Sequence, residues 1–230
     1  AGTATNALNF SASTGTITLA SLAGAGKTRF GAAADITGGI SAGTVTVVGA
    51  LGANITGGTV NAASLTGNVS AGTVTVTNLI TGDVTGGTVN AGSLAGNVSA
   101  GAVTLSGLLT GNVLAGAGTV SAGSMTGDVG SSVTVSGLLT GAITLGTNAL
   151  GSLSSTSVTG GTNTITGAAT VATVNGGTTT VGGVANITTL TTGTLNLNGA
   201  TSSIGTLTAG TVNLGTPALT VNDGTFAGLL

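Results

Sequence analysis

Nine β-branched residues, Ile40, Ile55, Val69, Val84, Val98, Val113, Val129, Ile143 and Val158, divide the middle of the chain in steps of 15, 14, 15, 14, 15, 16, 14 and 15. Gly, Asn and Asp cluster just before them, as in "GANI", "TGNV" and "TGDV". A period this short admits few folds. Each unit is one small supersecondary piece that cannot bury an apolar side alone, so it must stack on its neighbours.

Within a unit the pattern has period two. In "GTVTV" (72–76), Val74 and Val76 point one way and Thr73 and Thr75 the other, as a half-buried strand requires. Val, Ile and Thr favour strands, while Gly, Asn and Asp supply left-handed turn conformations. Strong helix formers such as Glu and Gln are missing, and Lys and Arg occur once each. The sequence therefore predicts an all-β, single-stranded β-solenoid. Coils pair at about 4.8 Å, and Val, Leu and Ala fill an interior too narrow for stacked Trp or Tyr.

A second level overlies the first. "VSAGTVTVTNLITGD" (69–83) matches "VSAGAVTLSGLLTGN" (98–112), and "ITGGTVNAASLTGN" (55–68) matches "VTGGTVNAGSLAGN" (84–97). Like units thus alternate with unlike ones and recur at a spacing of 29. Either one unit closes a coil or two unlike units do; stacking like on like favours the larger coil. One continuous solenoid is expected over 1–230, with atypical coils in 1–39, regular 14–16-residue repeats in 40–157 and looser 16–18-residue repeats in 158–230.

Charge narrows the function classes. The chain carries Lys27, Arg29, Asp35, Asp83, Asp128 and Asp223, with no His or Cys. Metal and cofactor sites, and acid–base or nucleophile–base pairs, need titratable or ligating groups close together. Nucleic-acid binding needs cations and stacking aromatics. None of these can be assembled from this inventory, so no enzyme, cofactor or nucleic-acid function is expected. Gly, Thr and Ser interrupt every apolar run, so no membrane span is expected either. A net charge of −2 leaves little repulsion between copies.

"SLAGAGKTRF" (21–30) contains GAGKT, which looks like a phosphate-gripping loop. That loop needs Gly, four residues and Gly-Lys-Ser/Thr between a strand and a helix. Here the first position is Ser21 and no helical segment follows. "GKTRF" instead overlays "GTVTV", with Lys27 and Arg29 outward and Thr28 and Phe30 inward.

Asn54, Asn68, Asp83, Asn97, Asn112 and Asp128 share one turn position, which predicts a structural ladder whose side chains satisfy backbone groups. Outward Thr pairs, Thr44/Thr46, Thr73/Thr75, Thr75/Thr77, Thr162/Thr164 and Thr178/Thr180, offer a face for ice or glycans. Phe10, Phe30 and Phe226 lie toward the two ends of the sequence, as do Lys27 and Arg29 at one and Asp223 at the other. Together with the lack of charged or helical caps in "AGTATNALNF" and "DGTFAGLL", these six residues are candidates for a head-to-tail junction between copies.

The units "GTLNLNGA" (193–200), "GTVNLGTPALTVNDGT" (210–225) and "TGGTVNAGSL" (85–94) resemble the passenger-associated repeats of autotransporter-type bacterial surface proteins. More loosely, they are similar to repeats of filamentous haemagglutinin-like adhesins. That resemblance implies a secreted, right-handed β-helix on a bacterial cell surface, acting as an adhesin, stalk or matrix component. Its partner would be a further copy or the rest of a longer surface protein. The aromatic "NTYTGGT"-like element of such repeats is missing, and the sequence reads as containing no translocator barrel.

Overall fold

A computed structural model describes residues 7–199, 201–215 and 218–224. The protein is an all-β solenoid, and among the described residues its strands pair in parallel. Its described residues divide into two compact units, one within 1–110 and 117–119 and the other within 111–116 and 120–230.

The first unit contains β1 (Ala7–Phe10), β2 (Ile17–Leu19), β3 (Lys27–Phe30), β4 (Ala34–Ile40), β5 (Thr44–Ile55), β6 (Thr59–Thr66), β7 (Thr73–Thr81), β8 (Thr88–Ala95), β9 (Ala102–Leu105) and β10 (Leu108–Thr110). Its first ladder runs Lys27, Thr44, Thr59, Thr73, Thr88, Ala102. A second joins Leu51, Leu65, Ile80 and Leu94. A third consists of the bridges Ile55–Val69–Val84–Val98. The β-branched residues that define the sequence period are therefore the inward residues of this third side, each fully buried.

The second unit contains β11 (Val120–Ala122), β12 (Ser124–Thr126), β13 (Val133–Thr140), β14 (Thr147–Val158), β15 (Thr162–Ile165), β16 (Ala169–Val181), β17 (Ala185–Leu197), β18 (Thr201–Leu207), β19 (Thr211–Leu214) and β20 (Ala218–Gly224). It repeats the same three sides: Thr147–Thr162–Thr178–Thr194–Thr211, then Leu139–Leu153–Ala169–Ala185–Ser202–Leu219, and the bridges Val113–Val129–Ile143–Val158.

One repeat closes one coil. Thr59 pairs with Thr73 and Thr73 with Thr88, steps of 14 and 15, so unlike units stack directly and the larger, two-unit coil is not formed. Two features of the packing explain this. First, an inward column runs Val47, Ala62, Val76, Ala91, Leu105, so each larger side chain lies against a small one and the layers interdigitate. Second, the one-residue difference between coils is absorbed at a single corner. Thr77 and Asn78 separate Val76 from Leu79, while Gly92 alone separates the facing Ala91 and Ser93. A Cβ on Gly92 would lie 2.5 Å from the carbonyl oxygen of Thr77, so at this corner a side chain would force the neighbouring coil to shift. The alternation of unit types surfaces outside, where Leu79 and Leu108, each 42% exposed, flank Ser93.

Candidate functional site

The GAGKT string leads into a strand: residues 24–26 form a bend, and Lys27 and Thr28 open β3. β3 pairs Lys27 with Thr44, Thr28 with Val45, Arg29 with Thr46 and Phe30 with Val47. Lys27 and Arg29 are exposed, Thr28 and Phe30 buried, as the overlay on "GTVTV" predicts. The backbone of Lys27–Phe30 pairs with β1 on one side and β5 on the other.

The Asn/Asp turn position forms hydrogen-bonded columns. In the first unit, Asn54 Oδ1 accepts from the Asn68 N–H at 2.9 Å, Asn68 Oδ1 from the Asp83 N–H at 2.8 Å, and Asp83 Oδ1 from the Asn97 N–H at 2.8 Å. In the second, Asn112 Oδ1 accepts from the Asp128 N–H and Asp128 Oδ1 from the Ala142 N–H, both at 2.8 Å. Each of these oxygens serves the backbone of the following coil. Only an acceptor is needed, which explains why a carboxylate substitutes for an amide at Asp83 and Asp128.

The outward Thr residues form ordered faces. In the first unit one column is Thr44, Thr59, Thr73, Thr88; beside it run Thr46, Asn61, Thr75, Asn90 and Thr104. In the second, Thr162, Thr178, Thr194 and Thr211 stand beside Thr164, Thr180, Asn196 and Asn213. There the polar groups bond along the column: Asn196 Nδ2 donates to Thr180 Oγ1 at 3.0 Å, and Asn213 Nδ2 to Asn196 Oδ1 at 2.8 Å. Parallel-strand geometry spaces such groups about 4.8 Å between coils and about 6.6 Å along a strand. Thr77 sits at the corner, exposed.

Among the junction candidates, Phe10 and Phe30 stack with ring centroids 5.3 Å apart and planes 13° from parallel. Phe30 is fully buried and Phe10 partly exposed. Lys27 and Arg29 lie one coil in from β1, between it and β5. Asp223 is carried by β20, opposite Thr206, and Phe226 lies outside the described residues.

One polar cluster has no counterpart in the sequence-based expectations. Asn148, Asn163 and Thr179 take inward positions in the first ladder of the second unit and are at most 1% exposed. Asn148 Nδ2 donates to Asn163 Oδ1 at 2.7 Å and to the Leu145 carbonyl at 3.2 Å. Asn163 Nδ2 donates to the Gly160 carbonyl at 3.2 Å and Thr179 Oγ1 at 3.3 Å, while the Val133 N–H donates to Asn148 Oδ1 at 3.1 Å. Aligning "TNAL" (147–150) and "TNTI" (162–165) with "TVTV" (73–76) puts these Asn in Val positions, and that is the signal that could have found them.

Among the described residues, no three His, Cys, Asp or Glu come together to hold a metal, and no helix is long and apolar enough to cross a membrane. No protein-family model, curated protein or solved structure matches the chain.

Proposed function

We propose that the chain is an extracellular structural protein, a stiff β-solenoid subunit of a cell-surface filament or a segment of an adhesin stalk. The observation that carries this reading is the continuity of backbone pairing within each unit. The Thr73 N–H reaches Gly58 O and the Thr88 N–H reaches Gly72 O, both at 2.9 Å, and aliphatic columns run behind them. Bending or extracting one coil breaks several backbone bonds and exposes apolar side chains at once. Such a ladder resists force and proteolysis without any chemical site. Electron microscopy of the purified protein tests the filament form: fibres with an axial repeat of one subunit support it, whereas discrete particles at all concentrations leave only the stalk form.

The paired Thr/Asn columns favour a second reading, a face for ice or an extended glycan. Thermal hysteresis or ice shaping at micromolar protein is its signature for ice, and retention on insoluble polysaccharide its signature for glycans; absence of both removes it.

A further inference from the structure

We propose that the β1/β2 edge of one copy accepts the β19/β20 edge of a second copy, in the same parallel register that joins coils within the chain. This rests on the filament reading and specifies its junction. Among the described residues, β1 pairs on one side, with β3, and β2 with β4; β19 pairs with β17, and β20 with β18. Among the described residues these four strands present unpaired backbone donors and acceptors, which template a further strand.

The interior is also open at these edges. Leu8 belongs to the inward column that continues through Thr28 and Val45, yet it is 51% exposed. A cavity of about 120 Å³ lies beside it, lined by Leu22, Thr28 and Val45 among others. Leu214, in the inward column after Leu197, is 48% exposed.

The two edges match in pattern. β19 reads Thr-Val-Asn-Leu and β1 reads Ala-Leu-Asn-Phe, both first-ladder strands of their coils. Laid in phase, Val212 covers Leu8, Leu214 covers Phe10, and Asn213 extends the Asn196–Asn213 amide column to Asn9 of the second copy. The second-ladder strands agree equally: Leu219-Thr220-Val221 of β20 falls on Ile17-Thr18-Leu19 of β2. Both edges belong to coils wider than the regular ones: Thr194 to Thr211, Ser202 to Leu219 and Ile17 to Ala34 are steps of 17 and Ala7 to Lys27 is a step of 20, against 14 and 15 around β7. Wide coils would meet wide coils. None of the matched positions is charged, so the matched stretches lack the residues that commonly block strand addition; Asp223 of β20 lies beyond them.

The chain has no cysteine, so a disulfide pair can report the register. Directly paired parallel strands lie about 4.8 Å apart, within disulfide reach, whereas a two-residue slip adds about 6.6 Å. The double variant Asn9→Cys/Asn213→Cys, oxidised, is expected to give a reducible ladder of covalent multimers. Ala7→Cys/Asn213→Cys should give at least about tenfold less, and a mixture of the two single variants should stop at the dimer. Leu8→Asp should abolish the multimers while leaving circular dichroism unchanged. Fibres that form without register-specific crosslinking would overturn this junction and leave the filament reading standing. Natively folded protein giving neither fibres nor crosslinks would overturn both.

Discussion

Gly72 stands before β7 with φ at +89°, and a Cβ there would lie 2.5 Å from the carbonyl oxygen of Gly58 in the preceding coil. Both the backbone conformation and the spacing between coils exclude a side chain. Gly72→Ala should therefore cost at least about 1–3 kcal/mol, read as a lowered urea midpoint. Gly24→Ala is the control: nothing lies within 4 Å of its Cβ position and its φ is not in the left-handed region, so a change within about 0.5 kcal/mol is expected. The Asn column yields a second comparison. Asn68→Ala removes the acceptor of the Asp83 N–H and should cost about 1 kcal/mol, while Asn68→Asp keeps that acceptor and should cost less. Equal losses for the two variants would show that the side-chain oxygen is not what the turn requires.

At the scale of the strand, much was legible in advance because one geometric rule governs it. Alternation in "GTVTV" placed Val74 and Val76 inside, and the same alternation placed Thr28 and Phe30 inside β3 despite the flanking Lys27 and Arg29. Coil size was not legible. Similarity between alternate units reports which side chains recur, whereas closure is decided by which backbones pair, and Val76 pairs with Ala91. The difference between "VTNL" and "AGS" is one residue at a corner, too local to change the pairing. The junction candidates were likewise only partly placed, because an end-of-sequence position does not reveal which strand keeps an open edge. The inward placement of Asn148 and Asn163 was missed because Asn elsewhere in this chain lies at turns or on outward strand positions; aligning "TNAL" and "TNTI" with "TVTV" puts them in Val positions, and the strand register agrees. Their mutual hydrogen bond makes them non-additive. In a cycle of Asn148→Val, Asn163→Val and the double variant, a coupling of about 0.5–3 kcal/mol is expected from urea unfolding. Zero coupling would mean that the two amides contribute independently and do not pin neighbouring coils to each other.

For the molecule as a whole, the scarcity of charge sets how copies meet. Six formal charges with a net of −2 provide neither a strong attraction to align copies nor a strong repulsion to separate them. A junction made of backbone hydrogen bonds and covered Leu, Val and Phe should depend little on ionic strength, because screening acts on exposed charges. Lys27 and Arg29 project from β3, one coil inside the proposed contact, so they contribute no bond across it. Lys27→Thr/Arg29→Thr, which restores the residue type found at Thr44 and Thr46, should leave the rate and extent of fibre growth within about twofold of the parent, followed by light scattering. Raising salt from about 0.01 M to about 1 M should also leave the fibres intact. Dissolution at high salt, or failure of the double variant to assemble, would point instead to a junction held by those two cations against Asp223, and would displace the backbone-paired contact from the centre of the mechanism.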